Sequence, residues 1–176
     1  MWLFFGFGGL CRLRKHGSNC PRLAGELKYF CNASVIYEFA GHRGCDTARV
    51  NDHGLSYFDD YALGSIEYAA EHLHSHLIVV LGHDKCGAVQ ATVDGGEAPG
   101  HIRSIVEAIQ PAVDEAKKKP TGNLLDNAID ENVLEVTERI KHSKPILAHM
   151  VEAGELQVVA ARYKLDTGEV KILAGP

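Results

Sequence analysis

Leu77-Ile78-Val79-Val80-Leu81-Gly82-His83-Asp84-Lys85-Cys86-Gly87 decides how this chain is read. Five consecutive apolar residues of strand length, with no polar alternation, suit a parallel strand buried on both faces. The run stops at a glycine-flanked turn that carries an imidazole and a thiol three residues apart. A short helical pattern, Ala88 to Val93, follows and is broken by Asp94-Gly95-Gly96. Strand, turn and helix in that order make the first half of an α/β unit. Ligands of open α/β sheets bind at the C-terminal ends of such strands.

Working outward, Leu63, Ile66, Ala70 and Leu73 recur at helical spacing before the strand. A long helix is predicted over 101–118, with Ile102, Ile105, Val106 and Ile109 on one stripe and a kink at Pro111. A second spans 124–140, with Val133, Val136 and Ile140 turned inward. Ser143-Lys144-Pro145 opens a short helix that Gly154 stops. Residues 156–163 then read as a strand, Asp166-Thr167-Gly168-Glu169 as a turn, and Val170 to Leu173 as the closing strand.

Residues before position 58 have a different character. Leu23 to Tyr29 suits a helix and Ser34 to Tyr37 a weak strand, but little else there is periodic. Charge also changes sign: residues 1–57 hold seven Lys/Arg against four Asp/Glu, residues 58–176 eleven against nineteen. The expectation is one domain, with residues 1–57 a poorly matching segment that is altered or partly disordered, and 58–176 the α/β core. A frame-disrupted or replaced stretch would produce that boundary.

The composition narrows the function classes. With 45% apolar and 23% charged residues among 176, the chain has the makings of a globular core. A net charge of −5 carries no basic footprint, which argues against a nucleic-acid partner. No apolar run approaches the ~20 residues of a membrane span. The apolar stretch 1–10 is short, and its basic residues follow it, the reverse of a secretory signal. Five cysteines (Cys11, Cys20, Cys31, Cys45, Cys86) are odd in number and irregular in spacing, so reduced thiols in a cytoplasmic protein are expected.

His83 and Cys86 can converge on one cation, and imidazole with thiolate suits Zn²⁺. If Cys86 starts the following helix, the positive helix end favours its thiolate. Two donors do not complete a site, since a catalytic zinc needs three protein ligands. His72, His74 and His76 suggest a second metal tract, but a solvated helix end is the simpler account. Lys117-Lys118-Lys119 suits a helix C-terminus.

Asp59 to Ala69, Val79 to Val89 with its Gly-His-x-x-Cys-Gly centre, Glu131-Asn132-Val133, Pro145-Ile146-Leu147 and the Asp166-Thr167-Gly168 turn together resemble the β-class carbonic anhydrases. The resemblance runs from about residue 58 to 173. It implies an α/β fold with a mainly parallel central sheet flanked by helices. It also implies a zinc enzyme, a lyase, interconverting carbon dioxide and bicarbonate, and a homodimer or higher homo-oligomer with sites near the subunit interface. His83 and Cys86 take the positions of two zinc ligands.

The third ligand in that family is the first Cys of a Cys-x-Asp-x-Arg segment, whose Asp and Arg form a dyad beside the metal. The nearest stretch here is Cys45-Asp46-Thr47-Ala48-Arg49, which makes Cys45 the third ligand and Asp46 and Arg49 the dyad. Asp46 sits one place too early, and alternation along an extended chain would turn it away from the face shared by Cys45 and Arg49. Cys31 is a rival whose distance from His83 suits the family better, though Asn32-Ala33-Ser34 follows it. Two other outcomes therefore stay open: a catalytically inactive, metal-poor homologue, and a carbonyl sulfide or carbon disulfide hydrolase of the same fold.

Overall fold

The computed structural model describes residues 34–38, 47–51 and 60–175. Strand β1 (Ser34–Glu38) pairs antiparallel with β2 (Thr47–Asn51), Ser34 opposite Asn51 and Glu38 opposite Thr47. Helix α1 (Asp60–His72) leads to β3 (Leu77–His83), and α2 (Gly87–Asp94), α3 (Ile102–Lys117), α4 (Leu124–Lys141) and α5 (Ile146–Glu152) follow. Strands β4 (Gln157–Tyr163) and β5 (Val170–Ala174) close the chain.

The sheet order is β3-β4-β5. β3 and β4 run parallel, Leu77 opposite Gln157 through His83 opposite Tyr163, joined by the four-helix crossover. β4 and β5 are antiparallel, because Gly168, at φ 72°, closes a tight hairpin between them. The described sheet is thus mixed, one parallel pairing of the kind the family resemblance implies and one antiparallel pairing, the closing hairpin expected from residues 156–173. A connection as short as residues 164–169 can only return a strand antiparallel; parallel pairing requires a crossover.

β3 is buried along almost its whole length, as its unbroken apolar run demands. One apolar cluster packs Ala62, Ile66 and Ala70 of α1, Leu147 of α5 and Val133, Val136 and Ile140 of α4 around Ile78, Val80, Val158 and Ala160 of the strands. A second joins Val89 of α2 and Ile109 and Val113 of α3 to Ala128 and Ile129 of α4, and Cys86 belongs to it. α4 is common to both. Its approach to the sheet is so close that a Cβ on Gly82 would lie 2.3 Å from Val133 Cγ2.

α3 continues past Pro111. A proline nitrogen donates no hydrogen bond, yet the buried stripe of Ile109, Ala112, Val113 and Ala116 holds the helix together on both sides of it. α4 begins where Asn123 caps it, its Oδ1 accepting from Leu125 N at 2.9 Å and Asp126 N at 3.3 Å. Arg162 of β4 is bound to the Asp126 and Asp130 carboxylates, the latter at 3.1 Å, and so ties β4 to α4. Burial alone would push this guanidinium down. The hydrogen bonds and charges of Asp130 and Asp126 outweigh it and hold it above its ordinary value.

No described helix is long and apolar enough to cross a membrane.

Candidate metal centre

His83 is the last residue of β3, and Cys86 is the N-cap of α2 with extended backbone (φ −66°, ψ 116°). Two residues make the turn between them, and Lys85 adopts a left-handed conformation (φ 54°) that swings the chain from strand into helix. The strand-turn-helix reading of the sequence thus places both donors at the C-terminal edge of the sheet. Each is buried, His83 at 8% and Cys86 at 6% exposure. The N-cap position sets Cys86 at the positive end of α2, where negative charge is stabilised.

The ring of His83 is anchored. Its Nδ1 lies 2.8 Å from the backbone carbonyl oxygen of Asp84. A carbonyl only accepts, so Nδ1 carries the proton and donates it. Nε2, which is buried, is then the nitrogen bearing the lone pair. That tautomer is the one a metal ligand requires, and a backbone carbonyl on the far nitrogen is a common support for zinc-binding histidines. An imidazole of this tautomer and a thiol at a helix N-terminus fit Zn²⁺ as two of its ligands.

Among the described residues no group of three or more His, Cys, Asp or Glu is placed to hold a metal. Cys45, Cys31 and Asp46 lie outside the described residues, as do the predicted helix 23–29 and the remaining cysteines. Arg49 lies in β2, opposite Ile36.

The turn between His83 and Cys86 is held from across the sheet. Asp84 N donates to Tyr163 O at 3.0 Å, continuing the parallel ladder one residue beyond β3. Asp84 Oδ1 accepts from Leu165 N at 2.8 Å, and Lys85 Nζ meets Asp166 Oδ2 at 2.6 Å. Nothing in the sequence links the turn to these partners, of which Leu165 and Asp166 lie 81 residues downstream of Asp84 and Lys85 respectively.

The other features singled out in the sequence stand apart from this centre. His72 ends α1 beside Tyr68, their ring centroids 4.8 Å apart; His74 has a left-handed backbone (φ 54°), and His76 Nδ1 donates to Glu155 O at 2.9 Å. All three are exposed at the junction of α1 and β3. Lys117, Lys118 and Lys119 pair with Asp114, Glu115 and Glu131, the arrangement of a solvated helix end.

Comparison with known proteins agrees with this architecture. The family profile described as carbonic anhydrase matches residues 47–170. The match begins at Thr47, so it takes in Arg49 and leaves out Cys45 and Asp46. A carbonic anhydrase of Mycolicibacterium smegmatis is 38% identical over 118 residues, covering 65% of this chain and 57% of that protein. Carbonic anhydrase 2 of Mycobacterium tuberculosis is 35% identical over 114 residues, 62% of this chain and 55% of its own length. The chain therefore spans little more than half the length of these relatives. Among solved structures, a tetrameric β-carbonic anhydrase of Sordaria macrospora superposes with a TM-score of 0.59 at 20% identity, over 67% of this chain and 62% of the other. The β-carbonic anhydrase CafA of Aspergillus fumigatus gives 0.54 at 27% identity, over 66% and 59%.

Proposed function

This chain belongs to the β-class carbonic anhydrase family, and on that footing we propose that it catalyses the reversible, zinc-dependent hydration of carbon dioxide to bicarbonate and a proton. The observation that carries the reading is the buried pair at the end of β3: a His83 ring whose Nδ1–H is spent on the Asp84 carbonyl, and a Cys86 at a helix N-terminus. His83 would bind through Nε2 and Cys86 through its sulfur. Cys45 is proposed as the third ligand, with Cys31 its rival, and Asp46 and Arg49 as the dyad beside the metal. Zinc, when bound, supplies a water activated for attack at neutral pH.

The chain's own groups have three tasks in that reaction. The Asp84 carbonyl holds the proton at His83 Nδ1 and keeps Nε2 basic. The apolar surroundings shared by Cys86, Val89 and Ile129 keep bulk water from the ligands and offer carbon dioxide an uncharged approach. The arginine of the dyad orients the nucleophile. Residues 58–176 form the proposed core, and 1–57 a segment that departs from the family. A homo-oligomer is proposed in keeping with the tetrameric Sordaria macrospora proteins. A cytoplasmic setting suits a site that depends on reduced thiols.

The test is zinc content per chain after gel filtration, taken with the rate of carbon dioxide hydration. About one equivalent of zinc with turnover is the expected result, and the elution volume reports the oligomer. Zinc without carbon dioxide turnover transfers the proposal to carbonyl sulfide or carbon disulfide hydrolysis, assayed directly. Absence of zinc makes the chain a metal-poor, inactive homologue. His83→Ala and Cys86→Ser should each abolish retention of zinc. Whichever of Cys45→Ala and Cys31→Ala also loses it identifies the third ligand.

A further inference from the structure

We propose that Asp84 is a positioning residue: by gripping the β4–β5 hairpin it locks the turn that carries His83 and Cys86, and so sets the His83 tautomer and the grip on zinc. The inference rests on the zinc reading above and adds to it a support that reaches the site from the far end of the chain. Three groups of Asp84 are engaged at once. Its N–H donates to Tyr163 O at 3.0 Å, its carboxylate Oδ1 accepts from Leu165 N at 2.8 Å, and its carbonyl accepts from His83 Nδ1 at 2.8 Å. The first two bonds run to consecutive parts of the hairpin and leave the Asp84 residue little freedom to turn. The third bond depends on that orientation, since the carbonyl must face the His83 ring.

The hairpin is itself braced, which makes it a usable anchor. Lys164 N donates to Glu169 O at 2.9 Å, Gly168 N to Lys164 O at 2.8 Å, and Lys164 Nζ meets Glu169 Oε2 at 2.7 Å. The Lys164 ammonium holds the Glu169 carboxyl below its usual range, first through its hydrogen bond and then through its charge. Lys85 also reaches the hairpin, through Asp166, but both side chains are mostly in water (63% and 71% exposed), where such pairs contribute little. Asp84 is therefore the effective clasp and Lys85 the control.

Three variants separate the roles: Asp84→Ala removes the acceptor, Asp84→Asn keeps an oxygen able to accept from Leu165 N, and Lys85→Ala removes the exposed ion pair. Two quantities are measured: zinc affinity by competition with a chromophoric chelator, and the His83 ring ¹⁵N shifts of the metal-free protein at mildly alkaline pH. Asp84→Ala should bind zinc about tenfold more weakly or worse, the size of effect that loss of a ligand's supporting partner has elsewhere. Its His83 ring should shift from the Nδ1–H form toward a mixture. Asp84→Asn and Lys85→Ala should stay close to the wild type in both. If Asp84→Ala does not fold, Asp84→Leu, similar in shape but without the acceptor, is read the same way. Wild-type affinity and an unchanged tautomer in the variant lacking the acceptor would overturn the proposal, as would failure of asparagine to restore them. A wild-type chain that takes up no zinc refutes the zinc reading instead, and the ring shifts, which need no metal, still decide whether Asp84 sets the tautomer.

Discussion

Glycine 82 stands immediately before the histidine, and its role is steric. A Cβ at this position would meet Val133 Cγ2 at 2.3 Å and Ile129 Cγ2 at 3.6 Å, so α4 lies directly on the backbone of β3. Gly82→Ala should therefore force the helix outward and destabilise the protein by about 1–3 kcal/mol, the usual cost of overpacking a well-filled core. A denaturant melt gives the value, and an unchanged midpoint would show that α4 yields without cost. The residues on either side of the turn were legible for a different reason. His83 and Cys86 are chemically distinctive and only three positions apart, so local spacing names them as a pair. Asp84 is visible in the same motif, but its task was not, because its partners at Tyr163 and Leu165 belong to a segment brought alongside only by the sheet.

Helices and strands from α1 onward follow their apolar periods closely. α4 was predicted over 124–140 and spans Leu124–Lys141; the predicted closing strands match β4 and β5 to within a residue. Start and stop signals account for this accuracy. Asn123 accepts two backbone N–H bonds at the head of α4, and Asn123→Ala should cost about 1 kcal/mol in a thermal or denaturant melt, with no change in any property of the site. The loss should be confined to stability, because the Asn123 side-chain oxygen bonds backbone N–H groups of its own helix's first turn, those of Leu125 and Asp126. The helix predicted over 101–118 with Pro111 inside it is α3, Ile102–Lys117. A proline inside a helix is unfavourable, but the apolar stripe of α3 is buried before and after it, and that packing decides the outcome.

Across the molecule, α4 joins the two apolar clusters and carries acidic residues at their margin. Burial is the largest influence on the Glu135 carboxyl and raises its pKa; Arg139 opposes this, while Glu115 and Glu131 add to it, and the net direction is upward. A carboxyl with a raised pKa in the folded state keeps its proton where the unfolded chain has lost it. Its contribution to stability is whole in acid, below the ordinary glutamate range, and is lost as pH rises through the folded value. Glu135→Gln should thus melt slightly higher than the wild type at neutral pH and alike in acid, as followed by circular dichroism across pH. A gap that widens in acid would reverse the sign of this reasoning. Glu67 on α1, raised first by burial and then by Glu71 and Asp60, should behave the same way.

The sequence by itself determined what depends on neighbours along the chain: the buried strand, the periods and ends of the helices, the closing hairpin, and a histidine and cysteine close enough to share an ion. It determined the family for the same reason, since the motif is a local string. Tertiary structure alone decided that β4 lies parallel beside β3, that α4 rests on bare backbone at Gly82, and that Asp84 is clasped by residues 163–165. Those outcomes depend on distances between segments far apart along the chain. Local propensity carries no such information, and only the common apolar core brings the segments into register.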